Sequence, residues 1–583
     1  MLNSLKIYLL LIFLIEFGSG FLFAQDLPKN ITESEKAIWK NYIQNYDALN
    51  KSNQSLTTPP NFQNLRTMGE WEETEYLCIT WTTYPSTLKE IVRHAQKEVK
   101  VIIACSDSNQ AKSYLTSNSV PLTSNLKFLI SGYNSVWTRD YGHQNIYANN
   151  ADSLLLIDWI YNRPRPLDDI IPEKVSTYTG IPLYQTTQAP YKLIHTGGNF
   201  MSDGLGTGFS SNLVVVENPT LTEDSIDGIM NQFMGINRYI KMPVLPYDGI
   251  HHIDMHMKLL DEETLLVGEY PIGVSDGPQI EANLQYVLSN FNSYFGEPYI
   301  VKRIPMPPET NGTWPSNSGD YLTYANSVMV NKTILVPYYR PQYDTIALRI
   351  YQESLPAGYK VVGINCNTII QASGALHCIT KEIGAKEPLW MVHQKLKDTE
   401  NDLNPYLLKA KMYHKSGIAT AILYYRTDTL NTYSIDTLSY DSLDGEWVGA
   451  IPAQAKGSKV YYYIEGIANN GKHQYRPLSG PLGYYSFNVL DLTSIEKQET
   501  QFENIYPNPS KGITVIPMKT ISEQNVKIEL LNSFGQTIDI IYEGKTRNGR
   551  NNYFINTLDI DAGIYFVRST ADYNTVTQKL IIK

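Results

Sequence analysis

The chain has 583 residues, 42% apolar and 18% charged, with a formal net charge of -10. That length exceeds what one hydrophobic core usually supports, so two to four domains are expected. The negative balance gives no electrostatic basis for gripping a phosphate backbone, which excludes nucleic acid as an expected partner.

Lys6, the apolar run 7–15 and the small residues up to Ala24 form a secretory signal layout, with cleavage expected before Gln25. Residues 1–24 are therefore read as a signal peptide. No other window approaches the roughly 20 apolar residues of a membrane span, so no stable span is expected once the signal is removed. Residues 25–65 are a polar, proline-containing extension with a short helix over 33–46. From 66 to 390, apolar strands alternate with helical patterns. Leu88, Ile91, Val92 and Ala95 give one face to a helix over 86–97, a strand follows at 99–104, and a second helix is predicted over 279–291. Such alternation predicts an α/β domain.

The pattern changes near Met391. Residues 391–490 hold short strands such as 419–425 and 460–464, separated by turns at Asp444-Gly445 and Asn469-Asn470-Gly471, and fit an immunoglobulin-like β-sandwich. Residues 491–504 read as a polar linker. Residues 505–583 read as a third, all-β unit. The 43 tyrosines suit a strand-rich chain, because half-buried aromatic rings pack well on a pleated surface.

There are four cysteines. Cys78 and Cys105 lie in apolar runs where a buried thiol is expected. Spacing leaves a bridge between Cys366 and Cys378 open, and no pair has zinc-site spacing.

Cys378, in Gly374-Ala375-Leu376-His377-Cys378, follows an apolar run and a Gly/Ser turn that would set its thiol at the rim of the α/β core. With Asp140 in Trp137-Thr138-Arg139-Asp140 and with His252-Ile253-Asp254, it supplies a nucleophile, a proton carrier and two carboxylates. A guanidinium group is flat, permanently charged and rich in N–H donors, so two carboxylates are its natural clamp. If residues 252–254 are extended, His252 and Asp254 leave one face with Cα atoms ~7 Å apart. The thiolate would attack the guanidinium carbon, with His252 serving as acid and then as base. Two nearby carboxylates raise a thiol pKa, so a nucleophile assisted by its cationic substrate is expected. Plainer readings exist for each residue: Cys378 as a packed core thiol, Asp140 as a turn cap, and His252, Asp254 and His256 as a metal site on one strand face. A cysteine protease relay fits less well, because His252 and Asp254 would share one face.

Six ordered motifs carry a family resemblance: Ser135-Val136-Trp137-Thr138-Arg139-Asp140-Tyr141, Asn162-Arg163-Pro164-Arg165-Pro166, Thr196-Gly197-Gly198-Asn199, His252-Ile253-Asp254, Tyr324-Ala325-Asn326-Ser327 and Ala375-Leu376-His377-Cys378. From about residue 66 to 480 the chain resembles the bacterial, porphyromonad-type peptidylarginine deiminases of the guanidino-group-modifying (pentein) superfamily. The resemblance implies a five-bladed α/β propeller. It also implies Cys378 as nucleophile, His252 as general acid/base, Asp140 and Asp254 as guanidinium ligands and Asn326 as the active-site asparagine. Trp137 would flank the substrate stem, and Arg163 and Arg165 would hold the α-carboxylate of a C-terminal arginine. Without the family, these two arginines would read as a surface loop pairing with Asp168 and Asp169. The chain departs from the family at Gly249, where an aromatic residue is expected, and at Met255-His256-Met257. Both ends of 505–583, Tyr506-Pro507-Asn508-Pro509 and Gly563-Ile564-Tyr565-Phe566-Val567 onwards, resemble the C-terminal sorting domain of type IX secretion; as a bare sandwich the unit would be a carbohydrate- or surface-binding module.

The leading expectation is an exported deiminase, released or attached to the cell surface, that converts peptidyl arginine to citrulline without metal or organic cofactor. Its partners would be arginine-containing peptides or proteins and the type IX machinery. The alternatives are an agmatine or free-arginine deiminase and a non-catalytic surface protein that binds arginine.

Overall fold

In the computed structural model the described residues are 27–46, 56–491 and 500–583, apart from 521, 547 and 573. The expected signal peptide at 1–24 and most of the linker at 491–504 lie outside them.

Between residues 66 and 384 the chain repeats one plan five times. A short strand runs antiparallel to a longer one, and a helix then crosses over to a third strand parallel to the second. Gln144–Ala148, Ser153–Tyr161 and Leu183–Thr186 form one such set around the helix Ile171–Thr179. Met201–Ser202, Thr207–Ser211 and Arg238–Met242 form the next, around Glu223–Met234. Met257–Leu259, Thr264–Glu269 and Ile300–Pro305 follow around Gly277–Asn290, and Val328–Val330, Thr333–Tyr338 and Lys360–Asn365 around Pro341–Ser354. In the fifth set Lys381–Gly384 pairs antiparallel with Thr74–Thr80, which is parallel to Lys100–Cys105 across the helix Pro85–Ala95. The end of the region is thereby paired to its beginning. The result is a mixed α/β domain of small open sheets.

Local chemistry accounts for these elements. Lys100–Cys105 is buried at every residue after the first, as expected of a parallel strand covered on both faces. Pro85 opens its helix, where a missing N–H costs nothing, and Leu88, Ile91, Val92 and Ala95 are its fully buried stripe. The helix predicted over 279–291 begins earlier, at Gly277, because Pro278 is preorganised for the first turn.

Residues 390–488 fold as two antiparallel sheets, Trp390–Val392/Tyr406–Tyr413/Glu446–Ile451/Ser439–Asp441 and Ser434–Thr437/Ile418–Arg426/Lys459–Ala468/His473–Arg476, with Tyr485–Asn488 also on Lys459–Ala468. Leu408, Leu423, Val460, Tyr462, Ile464 and Phe487 fill the space between them. A buried Arg476–Glu262 ion pair ties this region to the α/β domain. The C-terminal residues also form two sheets, with Ile516, Met518, Ile528, Leu530, Val567 and Leu580 inside. No helix among the described residues is long and apolar enough to cross a membrane.

Upstream of all this, Thr32 and Glu35 form a capping box that starts the helix Glu33–Gln44. Tyr42 and Tyr46 pack it onto Ile160 and Ile194 of the α/β domain.

Candidate active site

Every candidate catalytic residue lies in the turn just ahead of a short first strand. Asp140 lies in the helical turn Thr138–Tyr141 before Gln144–Ala148. Asp254 lies in the 3-10 turn Ile253–Met255 before Met257–Leu259. Asn326 precedes Val328–Val330, and Cys378 lies in His377–Ile379 before Lys381–Gly384. The remaining turn is Gly197–Asn199, before Met201–Ser202. The fivefold plan thus repeats one position, and the turns meet at a common centre.

The extended conformation expected for residues 252–254 is not found. His252 is the cap of a 3-10 turn whose entry is pinned by Asp248, which accepts from the backbone N–H of Ile250 and of His252, both at 3.1 Å. The alternation that would have aligned His252, Asp254 and His256 as metal ligands is therefore absent. Among the described residues no cluster of three His, Cys, Asp or Glu side chains is arranged to hold a metal ion.

The structure brings together Cys378, Asp140, Asp254, His252 and Asn326. The Cys378 thiol lies 3.7 Å from Asp254 Oδ2. Asn326 Nδ2 donates to Cys378 Sγ at 3.1 Å and to the Asp254 carbonyl at 3.2 Å, while its Oδ1 accepts from the His377 backbone at 3.0 Å. His252 Nδ1 is 3.4 Å from Asp140 Oδ1, and its Nε2 has no hydrogen-bond partner among the described residues. Cys366 and Cys378 are both free and buried, so the bridge that spacing left open is not formed.

A residue from the N-terminal extension completes the cluster. Lys29 Nζ donates to Cys378 Sγ at 2.8 Å and lies 3.9 Å from both Asp140 Oδ2 and Asp254 Oδ1. Burial opposes its charge, but the two carboxylates and the thiol outweigh burial and hold its pKa above that of ordinary lysine. In turn, burial would raise both aspartates, yet Lys29 first, then His252 at Asp140 and His377 at Asp254, keep them below the usual carboxylate range. Burial, followed by Lys29, pushes His252 down. Burial, then Asp254, pushes the Cys378 thiol up to about 12, with Lys29 opposing in part.

Arg163 and Arg165 point at this segment and not at Asp168 and Asp169. Arg163 Nε donates to the Lys29 carbonyl at 3.1 Å, and Arg165 pairs with Glu35 at 2.6 Å and donates to the Pro28 carbonyl at 2.7 Å. Trp137 is fully buried, with Nε1 donating to the Leu27 carbonyl at 2.9 Å. Its ring covers Gly374, where an added Cβ would sit 2.4 Å from it. Gly249, the departure from the family aromatic, is open and faces Asn30.

Sequence reasoning missed Lys29, His377, Glu70 and the role of Gly198. His377 bridges Asp254 and Glu70, and Glu70 also meets Lys258 at 2.6 Å. Arg139, in the turn Thr138–Tyr141, pairs with Glu382 at 2.7 Å. A Cβ on Gly198 would come within 2.5 Å of His252 Nδ1 and 2.7 Å of Asp140 Oδ1. The paired glycines in Thr196-Gly197-Gly198-Asn199 were the available signal for that close approach. Nothing in the pattern around Lys29 distinguished it from a solvated lysine.

Comparison with known proteins agrees with this geometry. Residues 66–383 match the profile of the Porphyromonas-type peptidyl-arginine deiminase family, and residues 504–583 match a secretion-system C-terminal sorting domain. A Shewanella frigidimarina protein assigned as an agmatine deiminase is 26% identical over 369 residues, which is 56% of this chain and 96% of that protein. The crystal structure of a protein assigned as an arginine deiminase from Porphyromonas gingivalis covers 55% of this chain and 99% of its own, at 21% identity and a TM-score of 0.50. The structure of another protein, assigned as an agmatine deiminase, covers 57% of this chain and all of its own, at 19% identity and a TM-score of 0.51. These two likenesses support the fold, and the profile covers more than half of the chain: it belongs to the Porphyromonas-type peptidyl-arginine deiminase family, hydrolases of amidine C–N bonds, and carries a C-terminal sorting domain.

Proposed function

We propose that the chain is an exported protein-arginine deiminase that hydrolyses the guanidinium of a peptidyl arginine, a C-terminal arginine above all, to citrulline and ammonia. One observation carries this reading. A cationic side chain belonging to a polypeptide lies between Asp140 and Asp254 against the Cys378 sulfur, while Arg163 holds its main-chain carbonyl. A substrate arginine would put its guanidinium in place of that ammonium, and one oxygen of its α-carboxylate in place of that carbonyl.

In this reading the thiol, held neutral by burial first and Asp254 next, gives its proton to His252 as the substrate cation arrives, and the thiolate attacks the guanidinium carbon. A C–S bond forms, a C–N bond breaks, and ammonia leaves with a proton from His252. His252 then takes a proton from water, which adds to the thiouronium carbon and expels Cys378 to give the ureido group. Asn326 orients the sulfur, Trp137 walls the aliphatic stem, and Arg163 and Arg165 select the carboxylate. No metal or organic cofactor is required by these steps.

The five sheets are then the blades of a five-bladed α/β propeller spanning 66–390, joined to a signal peptide (1–24), an N-terminal extension (25–65), an immunoglobulin-like sandwich (391–490), a linker (491–504) and a type IX sorting domain (505–583). The last of these addresses the chain to the cell surface or the exterior.

The relatives assigned as agmatine deiminases favour a second reading, turnover of a substrate with no α-carboxylate. The deciding experiment incubates the purified chain and its Lys29→Ala form with agmatine, free arginine and peptides carrying internal or terminal arginine, and measures ammonia and citrulline. Terminal-arginine peptides should be the best substrates, Cys378→Ala should abolish ammonia release, and Arg163→Ala should penalise the peptide and spare agmatine. Equal effects of Arg163→Ala on both would refute the carboxylate clamp. Arginine binding retained by Cys378→Ala, in a chain whose wild type releases no ammonia, would make it a binder and not an enzyme.

A further inference from the structure

We infer that residues 27–46 are an intramolecular pseudosubstrate, with Lys29 filling the substrate position and the helix Glu33–Gln44 anchoring it. The inference rests on the site assignment above and adds a regulatory state to it.

The segment is seated by specific contacts and does not merely lie across the opening. Leu27, Pro28 and Lys29 each give their carbonyl to a residue of the site, respectively Trp137, Arg165 and Arg163. The Lys29 N–H donates to the Ala372 carbonyl at 3.1 Å, and Asn30 Nδ2 reaches Ser373 Oγ at 3.4 Å, both just upstream of Cys378. Glu35 caps its own helix and binds Arg165, so the anchor and the plug are mechanically one piece. Tyr46 at the far end donates its hydroxyl to Asp169.

The chemistry of lysine makes it an inhibitor and not a substrate. Its ammonium satisfies both carboxylates and the sulfur, but it has no electrophilic carbon for a thiolate to attack. Lysine is therefore bound and cannot be turned over. Charge, burial and backbone contacts all have to be given up before an external arginine can enter, which gives the exported chain a latent form. Because the plug is tethered, it competes at an effective concentration on the order of millimolar.

The test compares the full-length wild type with Lys29→Ala, Lys29→Arg and Trp39→Ala. Trp39 is on the anchoring helix and packs against the cluster of Tyr42, Tyr46, Ile160 and Ile194. Chloroacetamidine, a small cationic alkylator, reports access to Cys378 by peptide mass and needs no turnover. Lys29→Ala should label at least ~10-fold faster than wild type, and Trp39→Ala should move in the same direction even if Lys29→Ala fails to fold. In Lys29→Arg the plug becomes a substrate, so residue 29 should be found as citrulline, independently of protein concentration. Unchanged labelling in both Lys29→Ala and Trp39→Ala would overturn the inference. Faster labelling with no release of ammonia from any guanidino compound would leave the plug standing and refute the deiminase reading.

Discussion

Asp254 Oδ2 lies 2.8 Å from His377 Nδ1, and the other nitrogen of that ring lies 3.2 Å from Glu70 Oε2. Cys378 is the next residue in the chain after His377, so one short turn carries both the proposed nucleophile and the tether of a proposed guanidinium ligand. Glu70 is held well below the usual carboxylate range, since Lys258 and His377 outweigh its burial. The ring is thus braced by a fixed anion.

Removing that tether should misplace Asp254 without removing it. In the Lys29→Ala background, His377→Leu is expected to lower kcat/KM for a C-terminal arginine peptide by ~10²-fold, the scale of a displacement of about 1 Å at a reacting centre. His377→Gln, which retains a donor, should recover part of the loss. If both variants lose activity only in proportion to lost folded protein, the ring has a packing role alone.

Gly198→Ala should be as damaging as a catalytic substitution, because the added methyl would meet His252 and Asp140 at less than contact distance. One of the two must move, so activity is expected to fall by ~10²-fold or more, with overpacking costing about 1–3 kcal/mol of stability in a urea titration. Near-wild-type kinetics would mean that the turn at Gly197–Asn199 yields easily and does not shape the site.

The membership of the candidate cluster was legible because its residues sit in ordered motifs: Cys378, Asp140, His252, Asp254, Asn326 and the two arginines all lie within the cluster or on its rim. The long helices and buried parallel strands were legible from periodicity. The fivefold plan was not, because first strands such as Met201–Ser202 and Met257–Leu259 have two and three residues, too few for any period to register. The 3-10 turn at Ile253–Met255 was misread for the same reason. Lys29 was invisible because its partner is 349 positions away, and the contact depends on tertiary folding alone.

Asp248 makes stability depend on pH with a definite sign. Burial raises its pKa to about 7, against about 3.9 in an unfolded chain. A carboxyl raised on folding binds its proton more tightly in the native state, so its contribution is greatest below the unfolded value, declines as pH rises from about 4 to about 7, and is flat above. The full swing is at most ~4 kcal/mol. Asp140 and Asp254 are depressed, so their contribution is present above about 4 and is lost only on further acidification. Urea midpoints of the wild type should therefore fall relative to those of Asp248→Asn between pH 5 and pH 7.5. A difference between the two that stays constant or grows in the wild type's favour over this interval would contradict the assignment.

The thiol itself gives the last prediction. With Lys29 seated, Cys378 stands at about 12, burial being the main cause and Asp254 the next. At pH 8 its thiolate fraction is then ~10⁻⁴, against roughly a quarter for an unperturbed thiol near 8.5. A neutral alkylator such as iodoacetamide should label Cys378 of the wild-type chain at a rate that climbs about tenfold per pH unit from 7 to 10 without levelling, whereas an ordinary thiol levels above ~8.5. Asp254→Asn removes the nearest like charge and should shift the climb to lower pH. It should not restore ordinary behaviour, because burial remains. A plateau below pH 9 in the wild type would mean that the sulfur is already an anion paired with Lys29, and that substrate binding is not what activates it.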